Sequence, residues 1–306
     1  MTAVEVHTIS KTYGKKKEVN ALNNISFSVT KGELFGIIGP DGAGKTSLFR
    51  ILTTLLLADN GTASVDGFDV VKDYKAIRNR VGYMPGRFSL YQDLTVEENL
   101  NFFATIFNTS IQENYDLIKD IYAQIEPFKD RRTGKLSGGM KQKLALSCAL
   151  IHRPSVLFLD EPTTGVDAVS RKEFWEMLRR LKEQGITILV STPYMDEAGM
   201  CDRVALMQKG NIMSIDTPEA IVSAFQYPLY KARSDQMLPL LNELKQFEGV
   251  KDAYVFGEYH HAVLKDEQQV TLLIQRLNQS GLKYELKPAQ PDIEDCFMLL
   301  MNHTHA

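Results

Sequence analysis

Cysteine is scarce: Cys148, Cys201 and Cys296 are the only three in 306 residues, far apart and never in CxxC spacing. That argues against a disulfide framework, and the three read as buried thiols of a reducing compartment. Long apolar runs are missing too. No stretch reaches the ~18 residues that span a bilayer, and the first residues do not resemble a signal peptide. The expectation is a soluble, cytoplasmic chain. There is no excess of positive charge: net charge −3 and pI ≈ 6.1 provide no general attraction for nucleic acid. The short basic run Lys15-Lys16-Lys17 reads as a solvated loop. What is present is an ordinary globular composition, 44% hydrophobic and 24% charged, on a length sufficient for two domains.

The chain is organised around Gly39-Pro40-Asp41-Gly42-Ala43-Gly44-Lys45-Thr46, with Ser47 next. An apolar run, residues 34–38, precedes it, and Leu48, Ile51, Leu52 and Leu55 follow at helical spacing. Strand, glycine turn and helix are the context that a G-x-x-x-x-G-K-[ST] phosphate loop requires. Gly42 and Gly44 let the backbone approach a phosphate chain without a Cβ in the way. Successive N–H groups then form an anion cradle, backed by the positive end of the helix. Lys45 is expected to reach the outer phosphates, and the Thr46 hydroxyl to bind Mg²⁺. Alone, this predicts only a nucleoside triphosphate site.

Before the loop, residues 4–9 and 25–29 read as strands joined by a polar turn that begins at Tyr13-Gly14. An aromatic here can stack on adenine; from spacing alone, a strand-end tyrosine packed on the sheet is the better reading. After the loop, Asp59-Asn60-Gly61 is expected to end the helix, and residues 81–94 to form a loop with exposed aromatics Tyr83, Phe88 and Tyr91. Thr95 and Glu98 have capping-box spacing, and residues 87–150 read as a mostly helical insertion. Leu136-Ser137-Gly138-Gly139-Met140 ends it at a helix start, where bare amides and a hydroxyl can face an anion. A lone SGG is better read as a plain glycine N-terminus.

Residues 156–159 form a buried strand that ends in Asp160-Glu161. A carboxylate there can hold Mg²⁺ through water, and a second can orient or deprotonate an attacking water. The alternative, an ordinary strand-end turn, loses once the phosphate loop is accepted. Ser170 and Glu173 are expected to cap the next helix, residues 186–190 to form another buried strand, and residues 204–215 a hairpin. Beyond Ala224 the order is strand, helix, two strands, helix, strand, helix, which predicts a small α+β domain of ferredoxin-like type. His260, His261, His303 and His305 read as surface or tail histidines rather than a metal cluster.

With phosphate loop, SGG helix start and acidic strand end in this order, residues 4–222 resemble the ATP-binding subunit of an ABC transporter, of exporter-like type. The most specific element is Leu136-Ser137-Gly138-Gly139-Met140-Lys141-Gln142, which matches the family's signature motif. The resemblance implies an α/β fold: a P-loop ATPase core, an antiparallel β subdomain and a helical subdomain at about 87–150. It divides the chain into an ATP-binding domain, 1–222, and an accessory domain, 223–306. It also implies a head-to-tail dimer, in which the phosphate loop of one subunit and Ser137, Gly138 and Gly139 of the other enclose ATP. By the same likeness Tyr13 stacks on adenine, Thr46 and Asp160 serve Mg²⁺, Glu161 is the catalytic carboxylate with Lys45 beside it, and Asp167 lies in the interface turn. The partners implied are a second ATP-binding subunit, as a homodimer, and an integral membrane permease on whose cytoplasmic face the chain docks through residues 87–94 and the helix after them. Two positions depart from the family. Gly86 stands where a glutamine is usual, and Pro193 where a histidine is. They leave room for two alternatives: a weakly active or regulatory subunit, or a soluble non-transport ABC protein.

Overall fold

The computed structural model describes residues 1–14, 18–87 and 89–303, and of Asn302 and His303 the backbone alone. The expectations for Lys15-Lys16-Lys17, Phe88, His303 and His305 lie outside what is described. The chain divides into two compact units, Met1–Pro218 and Glu219–Ala306.

The first unit opens with β1 (Thr2–Tyr13) and β2 (Val19–Thr30), followed by β3 (Leu34–Ile38), α1 (Lys45–Leu52), β4 (Asn60–Val65), β5 (Phe68–Asp69) and α2 (Tyr74–Arg78). Next come β6 (Val81–Met84), α3 (Val96–Ile106), α4 (Tyr115–Tyr122), α5 (Gly138–Leu150), β7 (Val156–Asp160) and α6 (Ala168–Glu183). The series ends with β8 (Thr187–Thr192), β9 (Arg203–Gln208) and β10 (Asn211–Asp216), and α7 (Pro218–Ser223) begins at the unit's last residue and continues into the second unit.

These strands make an antiparallel sheet, β2-β1-β4-β5, and a six-stranded sheet, β10-β9-β3-β8-β7-β6. In the second sheet β9, β3, β8, β7 and β6 run parallel. Every residue of β3, β7 and β8 is buried, as expected of parallel strands covered on both faces. Val6, Ile9, Leu22 and Ile25 of the antiparallel sheet share one core with Phe49, Phe158 and Leu189. The register pairs Ile38 with Thr192 and Asp160 with Ser191. It therefore puts the carboxyl ends of β3, β8 and β7 side by side, where parallel sheets bind ligands.

Several local expectations are corrected. Residues 81–84 are not loop but β6, paired in parallel with β7. Val81 and Met84 are buried, and a Cβ on Gly82 would lie 2.4 Å from the Ala149 carbonyl of α5. Helix α1 stops at Leu52, well before Asp59. The Thr53 hydroxyl turns back onto Phe49 O at 2.8 Å, Thr54 is left-handed at φ +64°, and Leu55 is exposed. Helix α6 is capped by Asp167, which accepts from the amides of Val169 and Ser170, rather than by Ser170. The capping box at α3 is present as expected: Glu98 N–H donates to Thr95 Oγ1 at 3.1 Å and Thr95 N–H to Glu98 Oε2 at 2.7 Å.

The second unit contains β11 (Leu229–Ser234), α8 (Met237–Gln246), β12 (Val250–Phe256), β13 (Tyr259–Leu264), α9 (Gln269–Gln279), β14 (Tyr284–Pro288) and α10 (Ile293–His303). Its antiparallel sheet runs β12-β13-β11-β14, the ferredoxin-like arrangement of a βαββαβ chain. Leu240 and Leu244 of α8 and Leu273 and Leu277 of α9 pack on one face, with Ala232, Ala253 and Ala262. Met298 and Leu299 of α10 join Leu229, Tyr254 and Val263 in a second cluster. His260 and His261 are buried, not at the surface. Nδ1 of His261 lies 2.6 Å from Asp295 Oδ1, which also accepts from the Tyr254 hydroxyl at 2.7 Å.

Candidate active site

The loop between β3 and α1 needs glycine for steric reasons at two points. A Cβ on Gly39 would lie 2.1 Å from the Met207 carbonyl, and one on Gly44, itself at φ +107°, 2.2 Å from the Ala21 carbonyl. Gly44 caps α1 without a side-chain hydrogen bond, so the first amides of the helix are left for an anion. Asp41 and Gly42 are exposed on the rim of the loop, while Ala43 is buried. Lys45 is 3% exposed. Its Nζ donates to Gly39 O at 2.7 Å and Pro40 O at 3.1 Å, and lies 3.2 Å from Glu161 Oε1.

The end of β7 supplies the two carboxylates. Asp160 is buried, and its Oδ1 accepts from Thr46 Oγ1 at 3.2 Å and from Ser191 Oγ at 2.6 Å. Glu161 is left-handed at φ +51°, a conformation that costs about 1–3 kcal/mol for a residue with a side chain. Its amide donates to both Ser191 O (3.0 Å) and Ser191 Oγ (3.1 Å). Burial, with the Asp160 charge adding to it, pushes the nearby Tyr83 phenol up to about 12. Tyr13 is 37% exposed, and its hydroxyl lies 3.1 Å from Ser47 Oγ. The fold thus gathers Tyr13, Ser47, Lys45, Thr46, Asp160 and Glu161, which come from three separate stretches of sequence.

Ser137, Gly138, Gly139 and Asp167 form a second group. Ser137 caps α5 by accepting from Met140 N–H at 3.3 Å. A Cβ on Gly139 would lie 2.8 Å from Ser170 Oγ, and one on Gly138 3.5 Å from Gly165 O, so α5 starts against the turn that leads into α6. Hydrogen bonds from the Ser170 amide and side chain hold the Asp167 carboxyl below its usual range. Lys143 ties α5 to α6 through Glu173 at 2.8 Å. Among the described residues no hydrogen bond joins this group to the phosphate loop. Ser137, Gly138 and Asp167 are exposed.

Gly86 lies against the carboxylate strand: a Cβ there would be 3.0 Å from Asp160 O. Pro193 directly follows the end of β8. The Thr192 hydroxyl is engaged by Glu197 at 2.5 Å. Sequence reasoning did not single out Ser191 or Glu197. Ser191 is the next-to-last residue of a buried strand, the one available signal, and for Glu197 there was none. Beside the site a cavity of about 410 Å³ is lined by Tyr83, Met84, Gly86, Leu90, Phe107 and Gln142, among others. Leu55, Tyr91, Phe102 and Ile106 are exposed apolar side chains.

The model of the family described as ABC transporter matches residues 22–164. The chain is 36% identical over 301 residues to the Nod factor export ATP-binding protein I of Burkholderia lata, covering 97% of this chain and 96% of the relative. It is 40% identical over 251 residues to the probable multidrug ABC transporter ATP-binding protein YbhF of Escherichia coli, covering 81% of this chain but only 43% of that protein's length. Among solved structures, a dimeric post-hydrolysis ATP-binding cassette with ADP and Pi bound superposes with TM-score 0.63 at 25% identity, covering 70% of this chain and 98% of that one. An ATP-binding subunit of an ABC transporter superposes with TM-score 0.65 at 27% identity, covering 72% and 92%. Together with the phosphate loop, the signature helix and the Asp160-Glu161 strand end, these likenesses show that the chain belongs to the ATP-binding proteins of the ABC transporter family.

Proposed function

We propose that this chain binds and hydrolyses Mg-ATP as the motor subunit of an exporter, docked on the cytoplasmic face of a separate membrane permease. The observation that carries the ATPase reading is the pairing of the phosphate loop with the end of β7: Lys45 with Glu161 and Thr46 with Asp160, each at 3.2 Å. The amides at the start of α1 and Lys45 take the phosphates, and the Tyr13 ring takes the adenine. Glu161 accepts a proton from the attacking water. Thr46 Oγ1 and Asp160 Oδ1 are hard oxygen donors 3.2 Å apart, a donor pair that suits Mg²⁺, which keeps most of its shell as water and phosphate oxygens. Thr46 and Asp160 would hold Mg²⁺, which when bound would supply charge neutralisation at the phosphates.

Ser137, Gly138 and Asp167 are exposed, Gly139 adjoins them, and among the described residues no hydrogen bond joins this group to the phosphate loop of its own chain. Their chemistry suits the phosphates of a second copy, so the functional form is a homodimer that encloses ATP at both loops. Binding closes the dimer and release opens it, a two-state cycle that a permease can use. Residues 87–94, α3 and the neighbouring cavity are the proposed docking surface. No described helix is long and apolar enough to cross a membrane; the transport path is assigned to the permease by likeness to the family. The second unit adjusts closure or assembly.

Gly86 and Pro193 are the only support for a second reading, a weakly active regulatory subunit, which the likeness to export ATP-binding proteins does not favour. Purifying the full chain from detergent-solubilised membranes separates the possibilities. Co-purification of an integral membrane protein, with Mg-ATP turnover by the complex, supports the motor. A complex that binds ATP without turnover supports the regulatory subunit, and a pool free of membrane protein overturns docking. Deletion of residues 225–306 must change turnover or assembly, or the role given to the second unit is wrong.

A further inference from the structure

Glu161 keeps a left-handed backbone at φ +51°, and such a residue persists only when its surroundings over-determine it. Ser191 grips its amide from one side. On the other side the chain turns back: Thr164 N–H donates to Glu161 O at 3.2 Å, and Val166 N–H to Thr163 O at 3.2 Å. One side chain anchors that turn to the sheet. Glu197, 2% exposed, accepts the Thr163 hydroxyl on Oε1 at 2.8 Å and the Thr192 hydroxyl on Oε2 at 2.5 Å. Thr192 Oγ1 in turn accepts from Tyr194 N–H at 3.1 Å. Arg171 completes the group. Its Nε lies 3.9 Å from Glu197 Oε1, and its guanidinium 4.5 Å from the centre of the Tyr194 ring.

We infer that Glu197 is a positioning residue for ATP hydrolysis. Its two oxygens clip the segment after β7 to the segment after β8, and so hold Glu161 in its strained conformation beside the phosphate loop. The inference rests on the ATPase reading above. The Thr163 and Thr192 hydroxyls belong to segments leaving adjacent strands, and one carboxylate takes both. An apolar side chain could fill the same space without desolvating a charge, but it could not bind two hydroxyls. Pro193 makes the clip more important here. Proline has neither an N–H nor a side-chain donor, so the segment is held through its neighbours Thr192 and Tyr194, and both lead to Glu197.

The test is hydrogen exchange on the full chain, with steady-state Mg-ATP turnover alongside. In Glu197→Ala, exchange should rise in peptides spanning residues 160–166 and 192–197 and stay unchanged in the interiors of β7 and β8. Turnover should fall by up to about 10²-fold, the cost of misplacing a catalytic group by ~1 Å. KM for ATP should shift by less than about 3-fold, the pattern of lost transition-state positioning. Glu197→Gln, which can accept one hydroxyl and donate to the other, should recover most of the turnover. Exchange rising throughout the unit, or unchanged exchange and turnover, overturns the inference. If Glu197→Ala does not fold, Thr163→Val must reproduce the local exchange signature, and its absence is equally fatal. A wild-type chain without turnover defeats the ATPase reading, whereas unchanged local exchange defeats the clip.

Discussion

Lys45 Nζ lies 3.2 Å from Glu161 Oε1 while donating to two carbonyls of its own loop. The cation expected to take the phosphates is thus paired with the carboxylate expected to act as base. An incoming triphosphate must exchange places with Glu161 at the ammonium, which frees the carboxylate to face water.

Glu161→Gln should therefore separate binding from chemistry. Turnover should drop by about 10²–10⁴-fold, the usual contribution of a general base. Affinity for ATP should hold or improve, because Lys45 loses its internal counter-charge. Lys45→Met should do the reverse and weaken binding first. Turnover assays beside fluorescent-nucleotide titrations check both, and weaker ATP binding in Glu161→Gln would count against the exchange.

Tyr13 is exposed, with its hydroxyl 3.1 Å from Ser47 Oγ. If the ring stacks on adenine, Tyr13→Ala should cost about 1–3 kcal/mol of nucleotide binding. Tyr13→Phe keeps the ring and loses only an exposed hydrogen bond, about 1 kcal/mol or less. Calorimetric titration of ATP into the two variants distinguishes stacking from simple packing on the sheet.

Gly86 leaves little room for a larger residue. A Cβ there would crowd the Asp160 carbonyl at 3.0 Å and stand 3.7 Å from the Glu161 Cβ. Gly86→Ala should displace the strand end that carries both carboxylates and slow turnover several-fold, with ATP affinity unchanged. Faster turnover in this variant would show that the strand end has slack.

Asp59 anchors the backbone next to Tyr13. The Lys11 ammonium, first, then the Thr12 amide and hydroxyl, hold its carboxyl well below the ordinary 3.8. A depressed folded value gives stability that is complete above the unfolded value and lost as pH falls below it. Wild type should lose denaturant resistance below about pH 4 more steeply than Asp59→Asn. Midpoints of urea unfolding between about pH 2 and 5 check this, and parallel curves would mean the contacts carry no linkage.

The phosphate loop, the capping box of α3 and the strand–helix order of the second unit were legible in the sequence, because each is written within a few consecutive residues. A glycine turn or a cap is decided by which N–H groups lack a partner inside one helical turn. The end of α1 was missed because a threonine hydroxyl turning back on its own helix competes with helical periodicity. Residues 81–84 were missed as a strand because four residues are too few to show a period. The two buried histidines were misplaced because their partners, Met237 and Asp295, are distant in sequence.

The sequence by itself determined that this chain carries a nucleotide cradle, a signature helix and a pair of strand-end carboxylates. Only the tertiary structure decided how those parts meet: Ser191 on Asp160, 31 residues away, and Glu197 on Thr163, 34 residues away. The register of parallel strands sets those meetings, and it follows from the packing of whole faces rather than from any short run of residues.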